Sequence, residues 1–182
     1  YAVSQLEDDE LFNAGIGSQI QSDGKIRMSA SLMDGESQKM SGVINIEEVK
    51  NPIQVAQVLM QVDDRILGGS GATNFARKHG FEPFSTEIPQ RRAEYEAKLA
   101  SLGTGTVGCV ALDNNGKIAV ATSTGGKGFE IPGRISDSAT VAGNYANEFC
   151  GVSLTGVGED IVSNATAAKI VTRVTDGFSI EK

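Results

Sequence analysis

Gly103-Thr104-Gly105-Thr106-Val107-Gly108-Cys109-Val110-Ala111-Leu112-Asp113-Asn114-Asn115-Gly116-Lys117-Ile118-Ala119-Val120-Ala121-Thr122 changes the character of the chain sharply. Small flexible residues give way at Val107 to an apolar run of strand length, which predicts a buried strand over 107–112. Asp113-Asn114-Asn115-Gly116 is a hairpin turn, because Asn and Gly accept positive φ, and 117–122 supplies the returning strand. Downstream, a loop over 125–138 precedes a strand at 151–154 and an apolar-faced helix over 159–174.

Upstream, residues 90–100 are highly charged and helix-prone, a solvated helix or linker. A helix is predicted at 71–78, stopping at Gly80, and another at 52–61, with Asn51 as its cap and Pro52 in the first turn. Residues 19–47 read as an antiparallel meander. Turns fall at Ser22-Asp23-Gly24-Lys25 and Asp34-Gly35, with an alternating run at 26–33 and a second run ending at Ile46. The acidic start and the glycine-punctuated segment Leu11-Phe12-Asn13-Ala14-Gly15-Ile16-Gly17-Ser18 form a loop leading into that meander. Strands in blocks with helices imply an α+β layered fold.

The 182 residues, 40% hydrophobic and 21% charged, suit a single domain, 1–182. No run of about 20 apolar residues could span a bilayer, and residues 1–9 carry no basic region followed by an apolar stretch, which implies a soluble protein. A formal charge of −7 argues against nucleic acid as a partner. Two cysteines suit a reducing, cytoplasmic setting better than a disulfide framework, and with one histidine they are too few for a usual structural zinc site. His79 sits in Arg77-Lys78-His79-Gly80, a basic helix end, so a histidine-based triad lacks its base. Gly125-Gly126-Lys127-Gly128 fails as a phosphate loop, because Ala121 and Gly128 stand where Gly and Ser or Thr are required.

A nucleophile without histidine remains. A threonine freed at a chain terminus uses its own α-amine as base, since that amine has a pKa near ~8. Thr106 follows a glycine and opens a strand, the setting such a nucleophile needs, although a threonine at a strand start is also ordinary β-propensity.

Thr106-Val107-Gly108-Cys109-Val110-Ala111-Leu112-Asp113, then Gly116 and Ala121-Thr122-Ser123-Thr124-Gly125-Gly126, resemble the start of the β subunit in plant-type asparaginases and isoaspartyl peptidases. The likeness continues through Pro132-Gly133-Arg134-Ile135-Ser136-Asp137-Ser138, Gly143-Asn144-Tyr145-Ala146 and Thr155-Gly156-Val157-Gly158-Glu159. Leu6-Glu7-Asp8, Leu11 to Ser18 and Met33-Asp34-Gly35 resemble the α subunit.

The resemblance implies an N-terminal nucleophile hydrolase with an αββα sandwich, 1–105 being α-subunit-like and 106–182 β-subunit-like. It implies self-cutting at Gly105-Thr106, Thr106 as nucleophile at the start of a central strand, and Thr124 orienting it. On the residues alone Thr124 could merely bond its own turn. Thr155 and the Gly156 amide match the oxyanion hole. Arg134 and Asp137 match the pair that holds a free α-carboxylate and α-ammonium, with Gly158 lining the pocket; without the resemblance they would read as a surface ion pair. Asn13 matches a further pocket residue. Carbonyls of Glu7, Phe12, Ala14 and Ile16 match a loop around a structural sodium, and no cofactor is implied for catalysis. The implied substrate is L-asparagine or a β-aspartyl dipeptide, with the choice left open because both present the same headgroup. The family's opening His-Gly-Gly-Ala-Gly strand and its last segments find no counterpart here, and the segment before Thr106 is shorter than the usual linker. We therefore expect an exposed apolar face covered by a partner chain or a second copy. A catalytically inactive structural subunit is the alternative.

Overall fold

The computed structural model describes residues 1–98 and 105–179. Gly103, Thr104 and the end of the helix expected over 90–100 lie outside these residues. Residues 2–7 form a short helix, α1 (Ala2–Glu7), whose last turn takes up the start of the expected acidic loop. The expected meander contains two strands, β1 (Met28–Asp34) and β2 (Lys39–Ile46), paired antiparallel. The turn expected at Ser22-Asp23-Gly24-Lys25 forms: Gln21 N donates to Lys25 O at 2.8 Å, and Gly24 takes φ +80.

Helix α2 (Pro52–Leu59) begins where proline predicts it, but Asn51 does not cap it. The Asn51 amide instead donates to Ser4 O and Asp8 Oδ1. The free N–H of Ile53 is taken by the Glu7 carboxylate at 3.1 Å, a cap supplied from α1. A short strand not anticipated, β3 (Ile66–Gly68), runs parallel to β2 and leads into α3 (Gly69–Lys78), which ends at His79 and Gly80. The charged helix is α4 (Pro89–Lys98).

The decisive hairpin forms as expected. β4 (Thr106–Leu112) and β5 (Ile118–Thr124) pair from Thr106↔Thr124 to Leu112↔Ile118. The turn is held by Asp113, whose Oδ1 accepts from Asn115 N and Lys117 N at 2.8 Å each. The five-stranded sheet has the order β3-β2-β1-β5-β4, so β4 is an edge strand rather than a central one. Its apolar run is correspondingly only half buried. Val107 packs inward, while Val110 is 52% and Leu112 71% exposed, as an apolar edge left uncovered must be.

Alternation along β1 and β5 gives the sheet two chemically distinct faces. Ala30, Val43 and Val107 face the helices and pack with α2 and α3 residues such as Val55, Leu59 and Ala76. The opposite face carries Ser29, Ser31, Thr122, Thr124 and Thr106. A second, two-stranded sheet of β6 (Asn144–Ala146) and β7 (Gly151–Ser153) packs on β5, with Ala146 against Met33 and Val120. The single helix expected over 159–174 is broken into α5 (Gly158–Asn164) and α6 (Thr166–Thr175) by Ala165 at φ +47. Helix α6 packs on β6 and β7. The left-handed alanine costs ~1–2 kcal/mol, offset by tertiary bonds such as Ala167 N to Ala142 O at 2.8 Å. Helices and sheets are thus combined in layers, an α+β arrangement.

Glu7 has a measurable consequence for stability. Its carboxyl is fully buried, with Oε1 accepting from Ser123 Oγ at 2.5 Å as well as from Ile53 N, and Oε2 without a hydrogen-bond partner among the described residues. Burial pushes its pKa up from 4.5 to about 7, against the pull of the Ser123 hydroxyl and the Ile53 amide. The folded chain therefore holds a proton that the unfolded chain has released, and the stabilisation is present below pH 4.5 and lost as pH rises through about 7. Chemical denaturation of the wild type should show a loss on the order of 3 kcal/mol between pH 4.5 and 8 that Glu7→Gln flattens. Parallel pH profiles for the two proteins would refute this assignment.

Candidate active site

The β4–β5 register sets Thr106 opposite Thr124 on the polar face of the sheet. Their hydroxyls lie 3.4 Å apart, longer than a settled hydroxyl pair. Thr124 is 2% exposed and does more than bond its own turn. It donates to the Gly105 carbonyl at 3.2 Å and accepts from Gly126 N at 3.1 Å. A hydroxyl chain therefore runs from Thr106 through Thr124 to the carbonyl of the bond expected to be cut.

Thr106 stands between two clefts. One, about 230 Å³, is lined by Thr106, Gly108, Ser153 and Thr155 among others, so Thr155 does meet Thr106 across a shared space. Gly108 has to lack a side chain there, because a Cβ would come within 2.0 Å of Ser153 Oγ. Beneath it lies a network that sequence reasoning missed: Thr122 Oγ1 contacts Asn144 Oδ1 at 2.9 Å and Ser153 Oγ at 2.8 Å. The available signal was Thr122's position two residues from Thr124, on the same face of β5. Gly156 is exposed, at φ +152, and does not line this cleft.

Arg134, Asp137 and Gly158 come together as expected. A 3-10 turn (Asp137–Ala139), begun by Ser136, whose Oγ accepts from Ser138 N, buries Asp137 to 5% exposure. A Cβ placed on Gly158 would lie 2.7 Å from Asp137 Oδ1 and 2.8 Å from Arg134 Nη2. Gly158 thus keeps open a small space flanked by one cation and one anion. The surface ion-pair reading is corrected: among the described residues Arg134 forks onto Glu159, Nε at 2.7 Å and Nη2 at 3.2 Å, while Asp137 Oδ2 has no partner. The Arg134 guanidinium holds the Glu159 carboxyl down at about 2, and burial pushes Asp137 up. Thr155 and Gly158 are three residues apart, so the chain joins the Thr106 cleft to the charged slot within at most about 11 Å.

The second cleft, about 170 Å³, is lined by Leu11, Phe12, Asn13, Gln19, Arg91, Gly105, Thr106 and Val107. Asn13 is therefore beside Thr106, but its amide is engaged: Nδ2 donates to Gly126 O at 2.5 Å and Oδ1 accepts from Gln19 N at 2.9 Å. It ties the loop to the Thr124–Gly126 segment. Arg91 was missed because its charged helix reads as solvated, yet its side chain is only 14% exposed. In the loop after α1 the Glu7 carbonyl accepts from Ile16 N at 2.8 Å. A Cβ at Gly17 would meet the carbonyl oxygens of Glu10 at 2.5 Å and Phe12 at 2.9 Å. Carbonyls of this loop thus turn inward over bare glycines. No cluster of three or more His, Cys, Asp or Glu that could hold a metal occurs among the described residues. No helix among them is long and apolar enough to cross a membrane.

A protein-family profile described as Asparaginase matches residues 1–101 and 85–182. An isoaspartyl peptidase/L-asparaginase of Nostoc sp. is 49% identical over 196 residues, covering 97% of this chain and 62% of that protein. One from Synechocystis sp. is 51% identical over 193 residues, covering 96% and 59%. A plant-type L-asparaginase of Pyrococcus furiosus is 40% identical over 182 residues, covering 87% and 59%. The chain spans less than two thirds of the length of these relatives. With nearly all of its own length matched, and with the two threonines, the charged slot and the glycine-lined clefts in place, the chain belongs to the family of isoaspartyl peptidases and plant-type L-asparaginases.

Proposed function

We propose that this chain carries the self-cutting threonine centre of a hydrolase that releases aspartate from β-aspartyl peptides and from L-asparagine. The observation that carries the reading is the Thr124 hydroxyl set between Thr106 Oγ1 and the Gly105 carbonyl. In the uncut chain Thr106 Oγ attacks the Gly105 carbonyl carbon while the Thr124 hydroxyl donates to its oxygen. The C–N bond breaks, the proton passes to the Thr106 nitrogen, and an ester forms that water hydrolyses to a Gly105 carboxylate and a free Thr106 amine. That amine then takes the Oγ proton when Oγ attacks the side-chain carbonyl of the substrate, and returns it to the leaving nitrogen. Thr155 donates to the oxyanion, and water releases aspartate from the resulting ester.

The space before Gly158 suits an amino-acid headgroup: Arg134 takes the α-carboxylate and Asp137 the α-ammonium. Asn13 holds the loop that lines the second cleft beside Thr106. Two relatives carry both activity names, isoaspartyl peptidase and L-asparaginase, in support of both substrates. The order of helices, large sheet, small sheet and α6 supports an αββα sandwich whose β4 edge is left open. A second copy or partner chain over Val110 and Leu112 would bury the open β4 edge. The sodium ion that the resemblance assigns to the carbonyls of Glu7, Phe12, Ala14 and Ile16 would be structural, supported by the Glu7 and Phe12 carbonyls that face bare glycines, and the unpaired Cys109 and Cys150 suit the cytoplasm. Catalysis needs no cofactor.

The test is maturation with turnover. Intact-mass analysis of full-length protein after incubation should give two fragments, the second beginning at Thr106, and the cut material should release aspartate from asparagine and from β-aspartyl-leucine. A chain that stays whole and releases none would remove this reading.

A further inference from the structure

We infer that Arg91 and the cleft it shares with Asn13 and Thr106 form a subsite for the free carboxylate of the leaving residue of an isoaspartyl dipeptide, which makes Arg91 a determinant of dipeptide over asparagine. This rests on the proposed reaction at Thr106. The direction of the substrate follows from the two clefts. The headgroup slot at Gly158 is joined through residues 155–158 to the Thr155 side of Thr106. An acyl chain running that way leaves the second cleft at Thr106, where Asn13, Gln19 and Arg91 stand, for the leaving nitrogen and its residue. Cutting at Gly105 also detaches one wall of that cleft from Thr106.

Arg91 is held there rather than waving in solvent. Its Nε donates to the Gly17 carbonyl at 2.8 Å and its Nη1 to Glu94 Oε2 at 2.8 Å. Glu94 in turn accepts from Gln90 Nε2 at 2.9 Å, so its charge is already shared. Two of the three guanidinium nitrogens are thus fixed to protein, and Nη2 carries no bond among the described residues. A planar fork with one free edge selects a carboxylate over other groups. A β-aspartyl dipeptide carries one ionised group beyond its headgroup, the carboxylate of the leaving residue. Asparagine carries none, because it leaves as ammonia. Leu11, 79% exposed, and Phe12, 37%, give this cleft an apolar rim suited to the leaving residue's side chain.

The experiment compares full-length wild type with Arg91→Gln and Arg91→Lys on asparagine, β-aspartyl-leucine and β-aspartyl-leucinamide, which lacks the carboxylate. The ratio of kcat/KM for the dipeptide to that for asparagine should fall about 10–100-fold in Arg91→Gln, the range for a hydrogen bond to a charged group, and Arg91→Lys should restore part of it. Wild type should prefer β-aspartyl-leucine over its amide, and Arg91→Gln should lose that preference. An unchanged dipeptide-to-asparagine ratio overturns the subsite, as does a preference for acid over amide that survives the substitution. Wild type inert on all three substrates would instead remove the reaction on which the subsite depends.

Discussion

Replacing Thr106 by alanine is expected to leave the full-length chain uncut and to lower β-aspartyl hydrolysis by about 10⁴-fold or more, the scale seen when a nucleophile is deleted from a covalent mechanism. The size of the effect follows from the poverty of alternatives. The chain's one histidine ends α3, stacks on Phe75 at 3.9 Å and sits 2.9 Å from the Phe75 carbonyl, so it serves a helix end. Thr124 has its hydroxyl committed to the Gly105 carbonyl and the Gly126 amide. Thr106→Ser keeps an Oγ and should still cut, whereas Thr124→Ala removes the donor to the carbonyl under attack and should slow cutting about 10–100-fold while Thr106 remains. Intact mass and N-terminal sequencing over time separate the three variants. Thr106→Ala protein that still breaks between Gly105 and Thr106 would show that another group performs the cut.

The parts of this site that were legible in the sequence are those fixed by local rules. An apolar run of strand length and an Asp-Asn-Asn-Gly turn specify the β4–β5 hairpin, and its register alone brings Thr106 to Thr124. What was not legible depends on which elements become neighbours. An apolar run such as Val107 to Leu112 does not say whether its strand lies inside a sheet or at its edge, because that is settled by pairing with β5 on one side only. Asn51 has every local mark of a cap, yet α1 brings the Glu7 carboxylate to Ile53 and the amide turns elsewhere. Ala165 in a left-handed conformation runs against its own propensity and is held by tertiary bonds, so no local signal marks the break between α5 and α6. Arg134 was matched with Asp137 three residues on, but its bonded partner, Glu159, arrives from the start of α5. Arg91 looked solvated because an all-polar helix hides which of its charges faces a cleft.

Gly158→Ala should yield a folded, self-cutting protein that has lost its substrate. Gly158 opens α5 with no positive φ, so alanine is tolerated by the backbone and is the better helix former by up to ~1 kcal/mol. Its Cβ, however, would stand 2.7 Å from Asp137 Oδ1 and 2.8 Å from Arg134 Nη2, in the space that the headgroup must occupy. In the empty protein the Arg134 head can give way, since its tether to Glu159 lies at an exposed carboxylate, and the Asp137 carboxylate, whose Oδ2 has no partner among the described residues, can turn aside. With substrate bound neither can yield, because the α-carboxylate and α-ammonium must sit between them. Overpacking of this kind costs about 1–3 kcal/mol, and displacing both charges from their partners adds to it, so kcat/KM should fall about 100-fold or more for asparagine and dipeptide alike. The loss should appear in KM and in the Kd of the product aspartate rather than in kcat. Cutting at Gly105 should proceed at the wild-type rate, because it uses Thr106 and Thr124 and no headgroup. Calorimetry showing wild-type affinity for aspartate in Gly158→Ala would mean that the headgroup lies elsewhere. A variant that fails to cut would mean that Gly158 supports the fold around Thr106 instead of the slot.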